Sequence, residues 1–317
     1  MMHAKQAALP RKKDGLLRRI LINIRQYPVL YLMTIPVIAY FIIFKYIPMY
    51  GVVIAFKKFS PAKGILGSPW LGLDHFKAFF SDLYCFRVIR NTLLINLYGL
   101  IFGFPFPIIF ALLLNEVRSN AFRRVTQTIT YMPHFVSVVI ICGLTKYFLK
   151  SDGLITGLLA KMFDLPKTNM RAVSAYFRTI YTAMNIWQGF GWGSIIYFAA
   201  LTNVDPALIE AAAIDGANRY QRIVHVSLPA ILPTIVTTLI LRLGNIMSAG
   251  YEKIILLYSP GVYETADIIS SYVYRRGLQN FDYSYAAAID LFNSAVNIVF
   301  ILLANSVSKS INKTSIW

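Results

Sequence analysis

Six apolar runs, each near the roughly 20 residues that carry a helix across the hydrocarbon core of a bilayer, constrain this chain more than any other feature. They fall at about 28–47, 91–114, 129–149, 176–201, 229–249 and 288–307. The runs are continuous and lack the alternation of a barrel strand, and in lipid the backbone must satisfy its own polar groups, so helices are the expected form. Composition agrees. Of 317 residues, 57% are hydrophobic and 14% charged, where a soluble domain carries about 25% charged residues. The mean hydropathy is +0.56, and a soluble chain of this length has too little interior for so many apolar side chains. The first run is too long for a cleaved signal peptide and passes without a small-residue cleavage site into Phe44-Lys45-Tyr46-Ile47-Pro48, an aromatic stretch typical of a membrane interface. Cys85 and Cys142 are too few for a disulfide framework and have no metal-ligand spacing around them.

The net charge of +17 is spread between apolar runs and not clustered on one soluble face, which argues against nucleic acid and for anionic lipid headgroups. The loops alone show only a weak Lys/Arg bias. The N-terminal tail decides the orientation: Lys5, Arg11, Lys12, Lys13, Arg18, Arg19 and Arg25 precede the first run directly, and basic residues there stay on the cytoplasmic side. Six spans then place both termini in the cytoplasm. Residues 1–28 read as a basic amphipathic tail, with Leu16, Leu17, Ile20, Leu21 and Ile24 on one side of an interfacial helix over about 14–26. Residues 29–317 read as a six-helix transmembrane domain.

The most informative stretch lies between the fourth and fifth runs, at 203–229. Asp205 is suited to cap a helix and Pro206 to begin one. Gly216 can adopt the left-handed turn that ends it, and a second short helix is expected over 218–226 before Pro229 opens the fifth span. Ala211, Ala212, Ala213 and Ala217 leave one face smooth enough for another protein to approach. An ordinary interfacial loop would explain the polarity but not the spacing. Glu210-Ala211-Ala212, then Gly216, then Leu228-Pro229, resembles the EAA loop of binding-protein-dependent ABC importer permeases. Asp215-Gly216-Ala217 fits the sugar-importer form, and Val226 departs only by standing where Ile is usual. The segment from Asn185 through Trp192, the segment from Pro229 through Pro233, and Lys45-Tyr46-Ile47-Pro48-Met49-Tyr50-Gly51 are similar to the carbohydrate branch, the oligosaccharide and polysaccharide permeases in particular.

This resemblance implies an all-α integral membrane protein with the type I ABC importer permease fold. It implies partners: a second homologous permease subunit, two cytoplasmic ABC ATPase subunits, an extracytoplasmic solute-binding protein and a sugar or oligosaccharide substrate. Glu210, Ala211, Ala212, Asp215, Gly216, Ala217, Leu228 and Pro229 would couple to the ATPase. The expected location is a bacterial cytoplasmic membrane. The sequence has no phosphate-binding GxxxxGK[ST] loop, so ATP and Mg are expected on the partner subunits, with no cofactor on this chain.

A sugar path needs aromatic faces and hydrogen-bonding groups, and polar residues within spans mark it. In the fourth run Asn185, Gly189 and Trp192 share a helical face, with Gln188 beside it. The helix matching it in maltose-type permeases lines the sugar pathway, which makes Asn185 and Trp192 the first candidates; packing between helices through the glycine and an amide explains the same face. In the fifth run Arg242, Asn245 and Ser248 recur every third residue. Arg242 either pairs with Asp290 inside the bundle or meets a substrate carboxylate, as on a uronic-acid oligosaccharide. The tyrosine-rich segment 250–287 is expected outside, facing the binding protein or the interface. Gly99 and Gly103, followed by Pro105, suggest close packing and a kink. The competing class is a secondary transporter of a small polar solute, which would want intramembrane carboxylates, and only Asp290 is available. An integral-membrane enzyme would need a nucleophile, acid/base pair or metal cluster, and the sequence presents none.

Overall fold

The computed structural model describes residues 23–164 and 167–312, with side chains through 309; most of the basic tail expected over 14–26 lies outside them. The described secondary structure is helical apart from an isolated antiparallel bridge between Lys57 and Trp70. In chain order we name α1 (Pro28–Phe56), α2 (Asp74–Phe80), α3 (Cys85–Asn115), α4 (Asn120–Phe135), α5 (Val138–Phe148), α6 (Leu154–Phe163), α7 (Ser174–Thr202) and α8 (Pro206–Ile214). There follow α9 (Arg219–Leu243), α10 (Tyr251–Leu257), α11 (Ile269–Tyr274) and α12 (Tyr283–Asn312). Four of these, α1, α3, α9 and α12, are each long and apolar enough to cross a bilayer. Two bent pairs, α4 with α5 and α7 with α8, raise the number to six.

The structure corrects four expectations. The third run is not one straight helix: α4 and α5 meet at 97°. Pro133 begins a tight 3-10 turn, Val136 and Ser137 are both extended, and the Ser137 hydroxyl caps α5 by accepting from the Ile140 amide. The chain therefore ends one helix and starts another inside an unbroken apolar stretch. In the fifth run the helix stops at Leu243 rather than continuing to 249. The second helix of the 203–229 loop is not separate from that span. It runs into it as α9 through a π turn at Ile223–Ser227, where the wider turn accommodates Pro229, which has no N–H to donate.

The fourth correction concerns 250–287, which is not an open segment but folds into short helices that pack much of its length into the core. Ile254, Leu257, Val262, Ala266 and Ile268 pack with Ile95, Ile141, Phe177, Tyr181 and Met184. Ile269 and Tyr272 join Phe79, Val88, Tyr285 and Ile289. A third cluster, Ile108, Leu112, Tyr197, Leu201 and Ile231, ties α3, α7 and α9 together toward the opposite end. Each such aliphatic side chain contributes about 1.5–3 kcal/mol when fully removed from water. By contrast, no residue of α1 between Pro28 and Phe41 is buried; α1 is held to α12 through its last turns, Tyr50–Phe56.

Candidate functional site

The loop at 203–229 folds as its local signals dictate. The Asp205 carboxylate accepts from the Ala207 amide at 2.9 Å and Pro206 opens α8. Gly216, at φ +81°, ends the helix, and the Ala217 amide reaches back to the Ala212 carbonyl at 2.9 Å, the closing bond of a Schellman turn. Asn218 and Gln221 then form a reciprocal capping box. The helix α8 stands at 76° to α7 and buries no residue. Glu210, Ala211, Asp215, Gly216 and Pro229 are exposed, while Ala212, Ala217 and Leu228 are half-buried. Leu208 and Ile214 are 55% and 87% exposed, an apolar surface that this chain does not itself cover. Between the two helices Ala212, Asp215, Gly216, Ala217, Gln221 and His225 border a concavity of about 280 Å³. Arg222, which the sequence did not single out, fixes the loop to α3. Its guanidinium pairs with Glu116 at 3.5 Å and donates to the Ala217 carbonyl at 3.2 Å.

The polar residues of α7 face its neighbours in different ways. Asn185 Oδ1 accepts from Lys253 Nζ at 2.6 Å, and its amide donates to the Tyr181 carbonyl. Gln188 is buried, and its Nε2 donates to the Val136 carbonyl at the α4–α5 bend. Trp192 lies flat on His134 at 4.7 Å and edge-on to Phe135, yet stays 43% exposed. A Cβ at Gly189 would meet no atom within 4 Å, so no other part of this chain packs closely against that glycine. At Gly191 a Cβ would collide with the Thr130 carbonyl, so the backbones of α4 and α7 touch there.

The ion pair between Arg242 and Asp290, one of the two alternatives for this arginine, does not form. Arg242 Nη2 donates to the Gly99 carbonyl at 3.1 Å. Asp290 is exposed and pairs with no cation among the described residues. The Gly99–Gly103 segment is a π turn, and its glycines admit the guanidinium: a Cβ at Gly99 would stand 3.3 Å from Nη2. These glycines make room for a cation rather than for a helix backbone. Asn245 and Ser248 lie past the end of α9, so no single helical face joins them to Arg242. Asn245 donates to the Leu241 carbonyl; Asn297 donates to Ser248 and accepts from the Met247 amide, holding the broken end of the span.

The description "binding-protein-dependent transport system inner membrane component" belongs to a family whose model matches residues 103–314. The chain belongs to that family. It is 42% identical over 300 residues to the polygalacturonan/rhamnogalacturonan transport system permease protein YteP of Bacillus subtilis, covering 95% of this chain and 94% of that protein. Protein LplB of the same organism is 42% identical over 288 residues, with 91% of each chain covered. Among solved structures, a bacterial ABC transporter involved in the import of the acidic polysaccharide alginate superposes with a TM-score of 0.84 at 44% identity, covering 93% of this chain and 99% of that one. A bacterial alginate ABC transporter in complex with alginate pentasaccharide-bound periplasmic protein gives 0.85 at 43% identity, covering 94% and 100%.

The permease therefore carries two separate polar regions. One is the exposed loop of α8 and the start of α9. The other surrounds the break in the fifth span, where Asn185, Arg242, Asn245 and Ser248 lie with Lys253. Sequence reasoning missed Lys253 by counting it among outer-loop cations. The signal was there: Gly250, a helix breaker, is followed by Ile254-Ile255-Leu256-Leu257, too apolar a run for an exposed loop.

Proposed function

We propose that this chain is one permease half of an ATP-driven importer of acidic oligosaccharides in a bacterial cytoplasmic membrane, with both termini cytoplasmic. A second permease subunit completes the path, an extracytoplasmic binding protein delivers the sugar, and two separate ATPase subunits hold ATP and Mg. The observation that carries the reading is α8: a rigidly capped helix, buried nowhere, with Glu210 and an apolar edge exposed and an arginine strut behind it. Such a lever suits docking in a groove of an ATPase, whose closure would turn it and switch the path between its two faces by rigid-body motion. The polygalacturonan and alginate relatives support an acidic glycan as cargo, and the cations around the span-five break suit one. The test is copurification with the ATPase, followed by Glu210→Ala and Gly216→Val in the assembled importer. The expected result is ATP hydrolysis that no longer drives uptake. ATPase activity in the purified chain alone, or normal coupling in both variants, refutes the assignment.

A further inference from the structure

Two cations flank the break in the fifth span. Arg242 stands one residue before the end of α9, and Lys253 lies in the first turn of α10. Irregular backbone between apolar helices is tolerated where it borders a cavity or is covered by protein, and unwound backbone beside helix ends is where transporters hold charged cargo. Both cations converge on one short stretch of α7. Lys253 is bonded to Asn185. Around the next residue, the Cβ position of Gly103 is 3.6 Å from Ile186 and 3.7 Å from the Arg242 guanidinium. The break itself returns to the same stretch: a Cβ at Gly250 would stand 3.9 Å from the Tyr181 hydroxyl.

Each cation is held by a neutral oxygen. Arg242 takes the Gly99 carbonyl and Lys253 the Asn185 amide oxygen, and among the described residues neither has a carboxylate within ion-pair distance. Lys253 is half-buried and Arg242 is exposed on the surface of this chain. A cation beside apolar helices is costly without a counter-charge, and a neutral oxygen leaves donors on both groups unused. The outer end of the molecule shows the contrast. There Arg275 grips the buried Asp267 carboxylate through two hydrogen bonds, at 2.8 and 2.6 Å, and its charge is answered within the chain.

We propose that Lys253, presented by Asn185, and Arg242 together form a carboxylate-binding site at the break of the fifth span, taking uronate groups of an acidic oligosaccharide. The site deepens the importer reading and rests on it. Arg242 offers a planar fork and Lys253 a mobile point charge, so a carboxylate can pass from one to the other as the sugar advances.

The test uses the assembled importer in proteoliposomes with its binding protein, and trigalacturonate as probe. Lys253→Gln is expected to lower uptake about tenfold or more, the worth of one charge-assisted hydrogen bond, with the partner subunits still copurifying. Lys253→Arg is expected to retain most of the uptake. Asn185→Asp separates this role from a structural one. It is isosteric and strengthens the hold on Lys253 but gives up the donation to the Tyr181 carbonyl. A packing role therefore predicts at most the loss of that one bond, read as a small fall in thermal stability with uptake nearly undiminished. An internal counter-ion here should instead suppress uptake about as far as Lys253→Gln does, with the importer still assembled. Undiminished uptake in Asn185→Asp overturns the site even where Lys253→Gln fails to assemble. Undiminished uptake in Lys253→Gln overturns it directly. Failure of the unaltered importer to take up trigalacturonate overturns the acidic-cargo reading and this site with it.

Discussion

Gly216 is the residue where backbone geometry and coupling meet. A Cβ there would touch nothing within 4 Å, so Gly216→Ala tests conformation alone. At φ +81° the substitution should cost about 1 kcal/mol, read as a small fall in thermal stability and a larger loss of coupled uptake. Gly191 is the opposite case, because there the obstacle is the Thr130 carbonyl. Gly191→Ala should destabilise by about 1–3 kcal/mol through overpacking, measured by thermal denaturation in detergent. Asp82, between α2 and α3, gives a pH dependence. Burial pushes its carboxyl up, but the Tyr272 hydroxyl at 2.5 Å, the Tyr84 amide, the Tyr285 hydroxyl and the charge of Arg276 hold it below the usual range. A carboxyl depressed in the folded state contributes stability that is complete above its unfolded value, about 3.9, and is lost as pH falls through the folded one. Asp82→Asn should therefore lower the melting temperature at pH 6 and flatten its decline toward pH 3. At this scale the caps were legible because an Asp-Pro start and a Gly stop act over a few residues. The partners of Arg242 and Lys253 were not, because each is set by packing between distant segments.

Elements behave as the balance of local and distant signals dictates. The caps of the α8–α9 corner were readable residue by residue, since each of their hydrogen bonds closes within about one helical turn, whereas the π turn that joins the corner to the span and the Arg222–Glu116 pair behind it were not. The break after Leu243 was hidden, because the apolar run continues past it and the group that stabilises the break, Asn297, comes from α12. The bend between α4 and α5 escaped for a similar reason: hydropathy alone does not distinguish a straight helix from two helices meeting at Val136. The strut between Glu116 and Arg222 belongs to this scale. It joins the end of α3 to the corner behind α8, with both side chains about one-fifth exposed. Arg222→Gln and Glu116→Gln should each cost about 1–3 kcal/mol at the corner and reduce uptake per ATP hydrolysed. Exchanging the two charges should restore part of the loss but not the bond to the Ala217 carbonyl. Equal coupling in all three variants would show that α3 takes no part in transmitting motion from α8.

For the whole molecule, the surfaces left uncovered are as informative as the core. Leu30 and Met33 on α1 are 63% and 72% exposed, which suits lipid, while the edge of α8 suits a protein. Cysteines placed at position 30 and position 214 should separate these environments. A membrane-impermeant thiol reagent should miss the first in intact membranes and reach the second only in inside-out vesicles, with protection by the bound ATPase. The π turn at Gly99–Gly103 has a further consequence for the molecule's tolerance of change. A π turn amounts to one residue inserted into an α-helix. Deleting a single residue there would let α3 relax to regular geometry with little net rotation of its halves, because the wider turn spends its extra residue on the same sweep of angle. Deleting one from the regular helix beside it would instead rotate them by about 100° relative to one another. Asn91 would swing away from the carbonyls of Glu264 and Asp267, and Thr92 from the Ile269 amide. The π turn is thus where α3 can lose a residue and keep one half of the molecule aligned with the other, and shortening its regular helix by one residue should be harder to survive.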